Sequence, residues 1–130
     1  MKTRSKIYLA GGFKSGWQAI AKRSLASFDF LDPSEHQIQD PKAYTEWDLN
    51  AVRECDIVLA NMEATNPGGY ALALEVGFAK ALSKKIVLVD QIVDPTVGRY
   101  FEMVRQVADS VFSDLYPAIA HIRDRLGKAD

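Results

Sequence analysis

The chain has 130 residues, 48% hydrophobic and 25% charged, which is enough apolar material for one compact domain spanning 1–130. Sixteen basic against seventeen acidic residues leave a net charge of −1, with no basic surplus of the size a nucleic-acid partner needs. Apolar runs such as Ile7–Phe13 and Ile86–Val89 are strand-sized and do not reach a membrane span, and the single Cys55 excludes an internal disulfide framework and suits a reducing cytoplasm.

Taken in chain order, short apolar runs alternate with helix-period stretches. Lys6–Ala10 reads as a first buried strand. The cations before it, Lys2, Arg4 and Lys6, lead only to a short run broken by Gly11 and Gly12, so no secretory signal is expected. A helix over Gly16–Ser27, a strand over Phe28–Leu31 and a polar loop over Asp32–Pro41 follow; the loop carries His36 and reads as a flap. A second helix over Ala43–Cys55 leads to a strand over Asp56–Ala60, and a third helix, Gly69–Ser83, leads to a strand over Lys85–Val89. A helix over Arg99–Ala108, a weak strand over Ser110–Ser113 and a last helix over Leu115–Leu126 complete the order. Strict strand–helix alternation predicts an α/β, flavodoxin-like (Rossmann-like) three-layer sandwich, with a five-stranded parallel sheet in the order 2-1-3-4-5. Ligands of such sheets bind beyond the carboxyl ends of the strands, at the switch point between strands 1 and 3. That places attention on Gly11–Trp17, Asn61–Gly69 and Asp90–Val97.

Two carboxylates sit where apolar residues are expected. The third helix is apolar nearly all round, and its only charges are Glu75 and Lys80. Glu75 either lies on a narrow solvent-facing strip or is held inward for chemistry, in a turn where the helix dipole favours a negative charge. In the second helix, Tyr44, Ala51, Val52 and Cys55 form one apolar stripe at about 100° per residue, and Asp48 falls inside it. Asp48 is then either a structural acid bonded to backbone or the partner of Glu75 in acid–base work on a small ligand.

Around these acids, Gly11 and Gly12 after strand 1 and the Asn66–Gly69 turn after strand 3 allow a ligand to approach backbone, although turns need glycine in any case. The first loop is neither a Walker A loop nor a G-x-G-x-x-G turn, so no dinucleotide cofactor is implied. Phe13 and Trp17 either stack on a planar base or pack in the core. Cys55 reads as inert packing and His121 as part of a solvated face, and with one Cys and two distant His no metal site is expected.

The blocks Lys6-Ile-Tyr-Leu-Ala-Gly-Gly, Trp47-Asp-Leu-Asn through Asp56-Ile-Val-Leu-Ala-Asn61, and Leu74-Glu-Val-Gly-Phe-Ala together resemble the nucleoside 2-deoxyribosyltransferases over nearly the whole chain. The resemblance implies a flavodoxin-like fold and exchange of the base on a 2′-deoxyribonucleoside through a covalent deoxyribosyl ester. It makes Glu75 the nucleophile, Tyr8 the hydroxyl that positions it, and Asp48 a carboxylate near the leaving base. Gly11, Gly12, Phe13, Trp17 and Asn61 are the expected substrate contacts. Many members carry an acid six positions before the nucleophile; here that position is Gly69, with Asn66 and Glu63 as the nearest polar replacements. A sister family hydrolyses 2′-deoxynucleoside 5′-monophosphates with a comparable glutamate, and Lys14-Ser15 could mimic its phosphate pocket. Members build the site across a subunit interface. A neighbour's loop before strand 5 reaches in; Asp109-Ser110 stands at the corresponding place and would face a partner's sugar, and Tyr100, Phe101, Met103, Val104 and Tyr116 are candidates for the apolar contact. The reading is therefore a cytoplasmic, homo-oligomeric deoxyribosyltransferase for deoxynucleosides and free bases, without metal or redox cofactor; the alternative is an N-glycoside hydrolase.

Overall fold

The structure, a computed structural model, describes residues 4–65 and 69–127. Five strands form one parallel sheet: β1 (Lys6–Gly11), β2 (Asp29–Leu31), β3 (Ile57–Met62), β4 (Lys85–Asp90) and β5 (Ser110–Phe112), in the order β2-β1-β3-β4-β5. This is the flavodoxin-like order expected from the alternation. β1 pairs with β3 so that Ile7 lies opposite Ile57 and Gly11 opposite Asn61. Helices α1 (Trp17–Ser24) and α6 (Leu115–His121) cover one face, where Ile7, Leu9, Ile57, Leu59, Val87 and Val89 are buried. Helices α2 (Pro41–Glu54), α3 (Gly69–Ala81) and α5 (Glu102–Val107) cover the other, over Tyr8, Ala10, Val58, Ala60, Ile86 and Leu88. None of the described helices is long and apolar enough to cross a membrane.

Several boundaries move, each for a local reason. α2 begins at Pro41, because the Asp40 side chain caps Ala43 N and proline at the first turn lacks only an N–H that has no helical partner there. Gly16 stands before α1 in the left-handed region (φ +76°), so the helix starts at Trp17. The single helix expected over Arg99–Ala108 is two: α4 (Pro95–Tyr100), capped by Asp94, and α5, with Phe101 between them out of helical geometry. The last helix leaves α geometry after His121 and finishes as a π-helical turn over Ile122–Leu126. His121 is half-buried with its ring against Phe112 rather than on a solvated face. Cys55 is fully buried and its thiol donates to Val52 O, as inert packing requires.

Candidate active site

At the carboxyl end of β1, on the α2–α3 side, a cleft of about 340 Å³ opens. Its floor is Tyr8 from β1 and Glu75 from α3. Gly11, Gly12 and Phe13 form one rim, and Pro33, His36 and Ile38 the facing rim. α2 contributes Tyr44 and Asp48, and the first turn of α3 contributes Ala71 and Leu72. Packing on the sheet explains the placement: Ala51 and Val52 hold α2 against it, while Leu72, Val76 and Ala79 seat α3 and carry Glu75 inward with them.

Glu75 is only 8% exposed. The Tyr8 hydroxyl donates to Glu75 Oε2 at 2.5 Å. Burial pushes the Glu75 carboxyl up to about 7; the Tyr8 hydrogen bond opposes that rise, and the neighbouring Asp48 adds to it. Burial also raises Asp48, against hydrogen bonds from His36 and Glu75 that favour its ionised form. The contact between the two acids raises Glu75 and lowers Asp48, so Glu75 is the partner that holds a proton more tightly. Tyr8 is pushed far above its ordinary value, first by burial and then by Glu75, and stays a hydrogen-bond donor.

The loop after β1 is fixed from beneath. Trp17 Nε1 and Gln18 Nε2 both donate to Gly12 O, at 2.9 and 2.8 Å. Gly11 takes φ +148°, and a Cβ there would lie 2.7 Å from Asn61 O and 3.1 Å from the Trp17 ring. Glycine is therefore required at this position whether or not a ligand approaches it.

Of the residues singled out in the sequence, Tyr8, Gly11, Gly12, Phe13, Asp48 and Glu75 come together on this cleft. Trp17 does not line it: the ring is buried with Ile7 and Leu9 on the opposite face and supports the loop from below. Asn61 is also buried away from the cleft lining, with Oδ1 unpartnered among the described residues. Glu63 lies just past β3, outside the lining. Asn66 lies outside the described residues. Gly69 faces another way, because a Cβ there would meet the Phe101 ring at 2.9 Å. That ring, tucked under the start of α3, occupies the space an acid at position 69 would need. Ser110 lies on edge strand β5, beyond β3 and β4 from this cleft in the same chain.

Six lining residues escaped the sequence reading as site candidates: Pro33, His36, Ile38, Tyr44, Ala71 and Leu72. Tyr44 was visible as part of the α2 stripe. His36 was not, because no spacing rule ties it to Asp48, yet its Nε2 lies 3.1 Å from Asp48 Oδ1. Among the described residues no group of His, Cys, Asp and Glu is arranged to hold a metal ion.

Comparison with solved structures finds the same fold. A 2-deoxyribosyltransferase from Leishmania mexicana superposes with a TM-score of 0.73 at 19% identity, over 93% of this chain and 98% of that one. A 2-deoxyribosyltransferase from Bacillus psychrosaccharolyticus gives 0.67 at 20% identity, over 85% and 87%. The CMP N-glycosidase BcmB of Clostridium botulinum gives 0.58 at 17% identity, over 92% and 98%. No curated protein sequence matches the chain. The family model described as "Nucleoside 2-deoxyribosyltransferase like" matches residues 4–93, which include β1, α2, β3 and α3 with Tyr8, Asp48 and Glu75, and the chain belongs to that family.

Proposed function

We propose that this protein transfers 2-deoxyribose between nucleobases through an ester on Glu75. The observation that carries the reading is Glu75 itself, a buried acid gripped by Tyr8 on the floor of a cleft, with a second carboxyl beside it. One proton on the carboxyl pair balances the reaction. As the C1′–N bond breaks, its electron pair leaves with the base. The proton passes from Glu75 by way of Asp48 to the base nitrogen, and the Glu75 carboxylate bonds to C1′ on the opposite face of the sugar. An incoming base reverses these steps, returns its proton to the pair and takes the sugar. Tyr8 holds Oε2 throughout, which leaves Oε1 to attack.

The walls suit a planar, uncharged ligand: Phe13, Pro33, Ile38 and Tyr44 supply apolar surface, and no Lys or Arg is among the described lining residues. The CMP N-glycosidase above takes a nucleotide by its name; a 5′-phosphate here would have Lys14 as its nearest cation in sequence. Unphosphorylated deoxynucleosides are therefore the expected substrates, in a homo-oligomer. The outer side of α3 exposes Tyr70 and Leu74 (83% and 60%), and the Tyr70 ring meets Phe101 at 6.3 Å, next to exposed Tyr100 and Met103. Val104 is buried instead. A second copy on this patch would wall the cleft beside Ala71, and a fully active monomer in sedimentation would count against it.

Chromatography of deoxyinosine with free adenine tests the reading. Base exchange is expected to outrun hydrolysis by at least ~10-fold at millimolar acceptor, a barrier difference of about 1.4 kcal/mol. If free sugar accumulates and adenine is never incorporated, the protein is an N-glycoside hydrolase.

A further inference from the structure

We propose that His36 is a positioning residue for proton delivery to the leaving base: locked in its Nε2–H tautomer, it orients Asp48 by donating to Oδ1 and leaves Oδ2 for Glu75 and the ligand. The inference rests on the glycosyl-transfer reading above and adds a residue outside its three acting groups.

The tautomer follows from two contacts. Ile38 N–H donates to His36 Nδ1 at 3.0 Å, so that nitrogen presents its lone pair. The proton of the neutral ring then resides on Nε2, which lies 3.1 Å from Asp48 Oδ1 and donates to it. Both ring nitrogens are engaged, so the ring is built to hold Asp48 rather than to shuttle protons to solvent.

The surroundings fix this geometry. Gln37 takes φ +54°, a left-handed conformation uncommon for a side-chain-bearing residue, and this turn brings Ile38 N–H back onto the ring. Trp47 of α2 meets the imidazole edge-on, with centroids 4.6 Å apart. At the start of the segment, Asp32 is buried, caps Ser34 N and pairs with Lys22 of α1 at 2.7 Å. The stretch read as a flap is thus tied to α1 at one end and to α2 through His36. Its consequence is chemical: with Oδ1 held by His36, Oδ2 is the Asp48 oxygen left for the proton to pass through.

A substrate that needs no proton isolates this role. The base of 7-methyl-2′-deoxyguanosine is already cationic and leaves as a neutral molecule when C1′–N breaks, so the ester forms on Glu75 without help from Asp48. His36→Phe keeps a ring against Trp47 but has neither nitrogen; His36→Gln can restore an N–H toward Asp48. The expected result is that His36→Phe loses at least ~10-fold more kcat on deoxyinosine than on 7-methyl-2′-deoxyguanosine, and that His36→Gln recovers most of the difference. Equal losses on both substrates would make His36 merely structural and overturn the proposal. A wild-type protein that consumes neither substrate would instead overturn the glycosyl-transfer reading. Nitrogen NMR of ¹⁵N-histidine-labelled protein tests the lock without turnover or folding of a variant: the His36 signals should report Nε2–H, and an Nδ1–H tautomer would refute it.

Discussion

β1 sends Ile7 and Leu9 toward α1 and α6, and Tyr8 and Ala10 toward α2 and α3; β3 repeats the division with Ile57 and Leu59 against Val58 and Ala60. The first face closes completely on large side chains such as Trp17, Leu25 and Ile122. The second carries a phenol, then alanines, and runs out into Gly11 and Gly12, and the cleft opens where that side-chain volume is missing. Strand alternation has therefore separated two tasks within one sheet. One face carries stability through close packing. The other accepts a buried acid, which costs stability, in return for chemistry.

The sharpest break in that comparison is Glu75→Gln beside Leu9→Ala. Glu75→Gln is nearly isosteric and should lower turnover at least ~10³-fold, with no sugar adduct in intact-mass spectra. It should also stabilise the protein at pH 8. The folded-state value of about 7 lies above the ordinary 4.5, so the folded protein binds the proton more tightly than the unfolded chain. Stability tied to this proton is complete below pH 4.5 and is lost as pH rises through about 7. The loss is on the order of 3 kcal/mol, and the variant avoids it. Leu9→Ala, fully buried on the other face, should cost about 2–5 kcal/mol at either pH and leave the pH profile of kcat/KM alone. Denaturant melts at pH 5 and pH 8 distinguish the two; a Glu75→Gln protein less stable than wild type at pH 8 would undo the contrast.

Next in size is the pH response. Glu75 faces Tyr8 from β1 and Asp48 from α2, with His36 behind Asp48. For deoxyinosine, kcat/KM should fall as pH rises through about 7, because the pair loses the proton the base needs. For 7-methyl-2′-deoxyguanosine it should rise through the same range, because only the carboxylate attacks. Tyr8→Phe removes a hydrogen bond that favours the carboxylate, so both midpoints should move upward, and the 7-methyl substrate should lose about tenfold near neutrality. Midpoints that stay in place would show that Tyr8 does not tune Glu75.

Much of this arrangement was legible in the sequence. Three of the five strands, β1, β3 and β4, are buried apolar runs, and the alternation of strands with helices left few topologies. Glu75 and Asp48 stood out because each violates an apolar pattern. What was hidden depends on contacts between distant residues. Phe101 breaks the helix expected over Arg99–Ala108, and its ring fills the space beside Gly69, which neither local pattern reveals. His36 reaches Asp48 through a left-handed Gln37 that no glycine or turn motif marks. Trp17 looked like a companion of Phe13, since helix period alone does not say which face of the sheet α1 covers.

Phe13 and Trp17 give the smallest and most local form of the comparison, because the loop after β1 and the start of α1 beneath it each lend an aromatic ring to one task. Phe13 is 56% exposed on the cleft rim, whereas Trp17 is 2% exposed beneath the loop. Removing the Phe13 ring takes little from the core, so Phe13→Ala should leave the melting transition where it is. A ring stacked on a base contributes about 1 kcal/mol, so the variant should raise KM for deoxyinosine about fivefold with kcat little changed. The effect should be similar for other planar bases, because stacking reads a flat face rather than a pattern of donors. Steady-state kinetics with a purine and a pyrimidine deoxynucleoside check this. A fall in kcat with KM unchanged would place Phe13 in the transition state for bond cleavage, and a lowered melting transition would return it to the packing side with Trp17.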